Sequence, residues 1–118
     1  RYAERRKNMA YITLTKENFD QEVVKSDRPV LVDFWAAWCS PCVALSPTID
    51  EIASEQDVVK VGKVNVDEQQ ELARQYRVMS IPTLMVFQSG EMVRREAGGK
   101  SKEEILEMLG LRRETVTL

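Results

Sequence analysis

The sequence predicts an α/β fold: a central mixed β-sheet of about five strands flanked by four helices, in the order βαβαβαββα. Three observations carry that expectation. Two strand-length runs rich in apolar residues, Val30 to Ala36 and Val58 to Val66, are each followed by a helical pattern. A third run, Thr83 to Phe87, meets the tight-turn signal Ser89-Gly90 and then an antiparallel partner, Glu91 to Ala97. A Ser-x-x-Glu capping box at Ser101-Lys102-Glu103-Glu104 opens the last helix.

Taken in order, Tyr11-Ile12-Thr13-Leu14 reads as a short strand, and Thr15 as the cap of a first helix through Phe19, Val23 and Val24. Glu17 falls one residue short of the capping-box spacing, and Asn18 occupies that place. Asp27-Arg28-Pro29 punctuates the helix. Val30 to Ala36 then has the character of a central strand buried on both faces. From Cys42 onward, Val43, Leu45, Ile49 and Ile52 keep helical spacing, and Pro47 inside that pattern predicts a kink. Asp67 is placed to cap a helix beginning at Glu68 and ending near Tyr76. Gly98-Gly99 interrupts the chain before Ile105, Leu106, Met108 and Leu109 mark the final helix, which Gly110 can stop.

A chain of 118 residues is one domain by length, and its 43% apolar and 31% charged composition is that of a globular protein. The patterned stretch is 10–110. Residues 1–9 form a basic extension, read as a solvated arm, a vector-derived remnant or a linker end, and 111–118 is a tail without assignment. Residues 1–8 alone carry a net +3 in a chain of net −2. Met9 is the expected natural start, because pattern begins directly after it. No run approaches the roughly 18 apolar residues of a membrane span, and the N-terminal basic residues lead into no apolar signal segment. The expectation is a cytoplasmic monomer with no nucleic-acid or membrane partner.

The chain has two cysteines and no histidine. Without histidine there is no Ser-His or Cys-His catalytic pair and no imidazole metal ligand. Two cysteines alone close neither a tetrahedral zinc site nor a disulfide framework. For Trp38-Cys39-Ser40-Pro41-Cys42 this leaves redox chemistry, a buried structural pair, or half of a zinc site shared with another chain. Cys-x-x-Cys at the start of a helix has a physical logic for the first of these. The sulfur of Cys39 would face unpaired backbone N–H groups and the positive end of the helix dipole, which favour thiolate, the attacking species. Cys42 would lie about one turn further on, within reach of that sulfur.

Further residues narrow the choice: Val32-Asp33-Phe34-Trp35-Ala36 before the cysteines, then Pro47, Lys63-Val64-Asn65-Val66-Asp67, Ile81-Pro82-Thr83-Leu84, Ser89-Gly90 and Gly98. With them, the chain from about Ala10 to Leu109 resembles the thioredoxin family, the type example of this cysteine motif, nearly end to end. The resemblance implies the thioredoxin fold and the activity of a protein-disulfide reductase, a dithiol electron carrier. It makes Cys39 the nucleophile and Cys42 the resolving, less exposed thiol. Asp33 becomes a buried carboxylate behind Cys42, with its pKa raised by desolvation so that it accepts the Cys42 proton. Lys63 matches that aspartate's charge partner, and Pro82 a cis proline facing the disulfide. Trp38, Pro41, Ile81, Pro82 and Gly98 would line a shallow docking face, on which Ile81 pairs with substrate backbone as an added strand would. Trp35 would pack beneath the site. The resemblance also implies substrate proteins bearing disulfides, a separate thioredoxin reductase as electron source, no metal and no bound cofactor; no Gly-rich dinucleotide fingerprint is present.

Against these stand plainer readings: Asp33 as a solvated strand-end carboxylate, Lys63 as an exposed strand lysine, Pro82 as a trans proline opening a strand. Two positions depart from the family's habit. Ser40 stands where glycine is usual, offering a hydroxyl to a sulfur or to the helix start and so tuning the redox balance. Val43 replaces a frequent basic residue, removing a small, solvent-screened stabilisation of the thiolate. Two other functions compete with the reductase. One is an oxidase or isomerase, whose relatives often carry histidine between the cysteines, as this chain does not. The other is a docking module with incidental redox chemistry, against which the intact Cys39, Cys42, Asp33 and Pro82 argue.

Overall fold

The structure, a computed structural model, describes residues 10–111. The expectations for the extension 1–9, and for the tail beyond Leu111, lie outside the described residues. Five strands form one sheet: β1 (Ile12–Thr13), β2 (Val30–Trp35), β3 (Lys60–Asn65), β4 (Thr83–Gln88) and β5 (Glu91–Ala97). Four helical segments accompany them: α1 (Asp20–Val24), α2 (Ser40–Glu55), α3 (Gln70–Gln75) and α4 (Lys102–Met108). The order is the expected βαβαβαββα.

Across the sheet the strands run β1-β3-β2-β4-β5. Strand β3 is parallel to both β1 and β2, whereas β4 is antiparallel to β2 and β5. Side chains of a strand alternate between faces, and β2 shows it plainly. Leu31 packs with Leu45, Ile49 and Ile52 of α2 and with Ile105 and Leu106 of α4. Val30, Val32 and Phe34 pack on the other face with Phe19 and Val23 around α1 and Leu72 of α3. Asp33, two residues from Leu31, therefore belongs to the α2 face. Burying an aliphatic side chain of this size stabilises by roughly 1.5–3 kcal/mol. The stripe Leu45, Ile49 and Ile52 thus fixes α2 on this face of the sheet, with the cysteines at its N-terminus.

Local chemistry explains most element ends and corrects two expectations. Thr15 and Asn18 make the reciprocal bonds of a capping box: Asn18 N donates to Thr15 Oγ1 at 3.2 Å and Thr15 N to Asn18 Oδ1 at 2.7 Å. The helix behind this box, α1, is a π-helical segment of only five residues. The capping box at Ser101 is complete, with Glu104 N donating to Ser101 Oγ and Ser101 N to Glu104 Oε1. Ser89 and Gly90 both adopt positive φ, 53° and 84°, as the two-residue turn of a twisted hairpin requires. Helix α2 begins at Ser40, two residues before the apolar pattern, and continues through Pro47. Asp67, however, is not the cap of α3. That helix starts later, at Gln70, after Gln69, and has no side-chain cap. The turn is organised instead by Asn65, whose Oδ1 accepts from the N–H groups of Asp67 (2.9 Å) and Glu68 (3.2 Å). No described helix is long and apolar enough to cross a membrane.

Candidate active site

After β2 the chain turns through Ala36, Ala37 and Trp38, and Cys39 N donates back to Ala36 O at 3.2 Å. Cys39 is the N-cap of α2, in extended conformation, and its Sγ accepts the N–H of Cys42 at 3.2 Å. The position that usually holds a serine or aspartate oxygen thus holds a sulfur, pointed at the free N–H groups and positive dipole of a sixteen-residue helix. Pro41 fits the first turn because the N–H it lacks has no helical acceptor there. Cys39 and Cys42 are joined in a disulfide, their Cα atoms 5.2 Å apart. Cys42 is the more enclosed, 3% exposed against 5% for Cys39. Ser40 is exposed, and among the described residues its hydroxyl bonds neither to a sulfur nor to the helix start. At the first helical position its side chain faces solvent.

The loop before β4 comes up against this helix start. The Ile81–Pro82 peptide bond is cis, the Ile81 carbonyl oxygen lies 3.8 Å from Cys39 Sγ, and Gly98 N donates to Pro82 O at 2.8 Å. Ile81 and Gly98 remain half-buried at the surface, whereas Pro82 is buried. Trp35 packs with Ala36, Cys39, Cys42 and Ile81 under the disulfide. Trp38 stands out at the rim, 69% exposed, with its indole N–H donating to Asp67 Oδ2 at 2.9 Å. Pro41 borders the helix side, where it lines a shallow depression with Ala44, Thr48, Gly99 and Lys100.

In β2, on the face that α2 covers, Asp33 is 2% exposed, and its Oδ1 has no hydrogen-bond partner among the described residues. Burial pushes this carboxyl up from 3.8 to about 7; the Lys63 charge works in the opposite direction, and Asp50 adds to the rise. Lys63 is Asp33's neighbour in register on the adjacent parallel strand. The expected pairing is one of charge only. The ammonium bonds to Asp50 Oδ1 at 2.9 Å and Ser46 Oγ at 3.1 Å, and sits 4.1 Å from the centre of the Tyr11 ring.

Sequence reasoning misses Ser46, Asp50 and Tyr11, and misreads Asp67. A signal for two of them exists. Cys42, Ser46 and Asp50 recur every four residues along α2, a polar stripe beside the buried Leu45, Ile49 and Ile52. Among the described residues no group of three or more potential metal-ligating side chains occurs.

A helix-capping disulfide, set against a cis-proline loop, defines a thiol–disulfide oxidoreductase of the α/β class. The thioredoxin family model matches residues 10–110. The chain belongs to that family. It is 46% identical over 97 residues to the thioredoxin of Rickettsia bellii (strain RML369-C), covering 81% of this chain and 92% of the relative. Similarity to the thioredoxin of Alicyclobacillus acidocaldarius is of the same order, 47% over 97 residues, with 81% and 91% covered. The bifunctional thioredoxin reductase/thioredoxin of Mycobacterium leprae (strain TN) is 47% identical over 96 residues, 80% of this chain but only 21% of that longer protein.

Proposed function

We propose that this thiol–disulfide oxidoreductase works as a reductase of protein disulfides. The carrying observation is the placement of Cys39 Sγ as acceptor at the N-terminus of α2, next to its resolving partner Cys42. In the dithiol form, the Cys39 thiolate attacks one sulfur of a substrate disulfide. One substrate thiolate leaves, and a Cys39–substrate mixed disulfide forms. Cys42 then loses its proton to Asp33, and its thiolate attacks Cys39 Sγ. The second substrate thiolate departs, leaving the Cys39–Cys42 disulfide, so that two electrons have passed to the substrate. Asp33 suits this task because its buried carboxyl, at about 7, titrates where proton transfer is efficient.

Docking follows from the same loop. An extended substrate segment would pair with Ile81, beside Trp38, Pro41 and Gly98, with the buried Pro82 shaping the loop from behind. Ser40 tunes the potential through its position between the cysteines rather than through a bond to sulfur. A separate thioredoxin reductase returns the pair to the dithiol, with no cofactor or metal held by this chain. The Mycobacterium leprae relative, whose name joins the two activities, supports such a partnership. We read the chain as a cytoplasmic monomer.

The test is an insulin-type disulfide reduction assay with the wild type, Cys39→Ser and Cys42→Ser. Wild type should be active and both variants inactive, with Cys42→Ser accumulating mixed disulfides that identify substrates. Equal behaviour of all three would overturn the electron-carrier reading. A redox titration placing the pair near the potential of a periplasmic oxidant would reverse the direction of electron flow.

A further inference from the structure

The Lys63 ammonium stands in register beside a buried, unpartnered carboxylate oxygen, yet its hydrogen bonds go elsewhere. A cation in that position would ordinarily bond to Asp33. Instead it is held by a carboxylate (Asp50), a hydroxyl (Ser46) and an aromatic face (Tyr11). Two of these three lie on α2, one turn and two turns beyond Cys42. We propose that Asp50 and Ser46 are positioning residues, which tether the Lys63 ammonium to α2 and so set how strongly Asp33 binds a proton. The inference rests on the reading that Asp33 receives the Cys42 proton.

The groups around Asp33 leave few other ways to tune it. From β3 comes Lys63 and from β4 its register partner Leu84, which does not titrate. From α2 come Asp50 and the cysteines, uncharged as a disulfide. The α4 residues packed on this face are apolar, and Lys102 of that helix is occupied by Glu51 and Glu55. The direct charge interactions on Asp33 are Lys63, lowering its pKa, and Asp50, raising it. A tethered ammonium therefore offsets burial only in part. Freed from Asp50, it would turn towards the vacant Asp33 oxygen and hold the carboxylate ionised.

The experiment follows the Asp33 carboxyl carbon by NMR against pH in the oxidised full chain, where no thiol titrates. It compares wild type, Asp50→Asn, Ser46→Ala, Lys63→Ala and the Lys63→Ala/Asp50→Asn double variant. Asp50→Asn should lower the Asp33 midpoint by about half a unit or more, and Ser46→Ala should move it less in the same direction. In the Lys63→Ala background the Asp50→Asn shift should shrink clearly. An equal shift in both backgrounds would mean that Asp50 acts only as a like charge, and would overturn the tether; so would no shift in either. Because the titration needs no turnover, its outcome stands apart from that of the catalytic reading, which loss or retention of reduction in Asp33→Asn decides.

Discussion

The indole N–H of Trp38 donates to Asp67 Oδ2 at 2.9 Å, tying the residue before Cys39 to the loop that follows β3. The bond lies at the surface and joins residues 29 apart in sequence. It holds a large, exposed ring, on the residue next to Cys39 in the chain, against the Asp67 loop. Such an exposed bond contributes about 1 kcal/mol. Asp67→Ala should therefore lower kcat/KM on a protein disulfide about fivefold. Asp67→Asn, which keeps an acceptor oxygen, should retain most of the rate. Urea unfolding should place Asp67→Ala about 1 kcal/mol below wild type and Asp67→Asn within about 0.5 kcal/mol of it, as for a surface position that keeps its bond. Equal losses from both substitutions would assign the effect to the carboxylate charge instead of the bond.

The pH dependence of stability follows from Asp33. Its carboxyl titrates near 7 in the folded chain and near 3.8 when unfolded. Below the lower value the group is neutral in both states and has no effect. Between the two, the unfolded chain releases its proton while the folded one keeps it, so stability falls as pH rises. Above 7 both states are ionised and the full penalty is present, about 4 kcal/mol as an upper figure for a shift of this size. Asp33→Asn should accordingly change the urea midpoint little near pH 4 and raise it markedly at pH 8, while slowing disulfide reduction at neutral pH. Parallel stability curves for the two proteins across that range would show that burial does not perturb Asp33.

The features legible in the sequence and those hidden from it divide along a physical line. Cys39 and Cys42 are readable as a motif of spacing whose alternatives the family resemblance narrows. The cis Pro82 follows from that resemblance, at the one residue type for which a cis bond is cheap. A continuous apolar run predicts a strand buried on both faces around Asp33, the resemblance implies a buried carboxylate there, and the structure has it buried. Asp67 misleads because an acid just before a helical pattern is the signal for a cap. Asn65, two residues earlier, makes the turn's bonds and leaves the Asp67 carboxylate for Trp38. The tether on Lys63 escapes for a different reason. Its partners come from α2 and from Tyr11, and only the packing of helix on sheet brings them together.

Leu14, the residue after β1, packs directly over Gly62 of β3. A Cβ built there would come within 2.7 Å of Leu14 Cγ, and Leu14, itself buried, has nowhere to withdraw. Gly62→Ala should destabilise by about 1–3 kcal/mol. Leu14→Ala alone should cost about 2–5 kcal/mol through the cavity it leaves. The double variant should be clearly more stable than the sum of the two predicts, because the methyl group introduced at position 62 would occupy part of that cavity. Additive losses in urea unfolding would mean that glycine is needed at this position for its backbone rather than for space.

Arg95 on β5 links the sheet edge to the segment between α3 and β4, which we propose docks substrate. Its guanidinium donates Nη1 to the Tyr76 carbonyl and Nη2 to the Arg77 carbonyl, at the C-terminal end of α3 where carbonyls lack helical partners. Arg77 has a φ of 54°, a left-handed conformation that β-branched residues avoid, and the fork holds it there. From this point the chain runs through Met79 and Ser80 to Ile81, whose carbonyl lies beside Cys39 Sγ. Loosening the anchor should degrade the loop more than the cysteines. Arg95→Ala should therefore lower kcat/KM for a folded protein disulfide several-fold, a loss worth about 1 kcal/mol, while a small aromatic disulfide that needs no docking strand is reduced at nearly the wild-type rate. Arg95→Lys should recover only part of the loss, because an ammonium cannot fork across two carbonyls. Arg94→Ala, at a neighbour engaged with Glu96 instead, serves as the control and should leave both rates unchanged. Equal losses on the large and small substrates would place the effect of Arg95 at the disulfide itself.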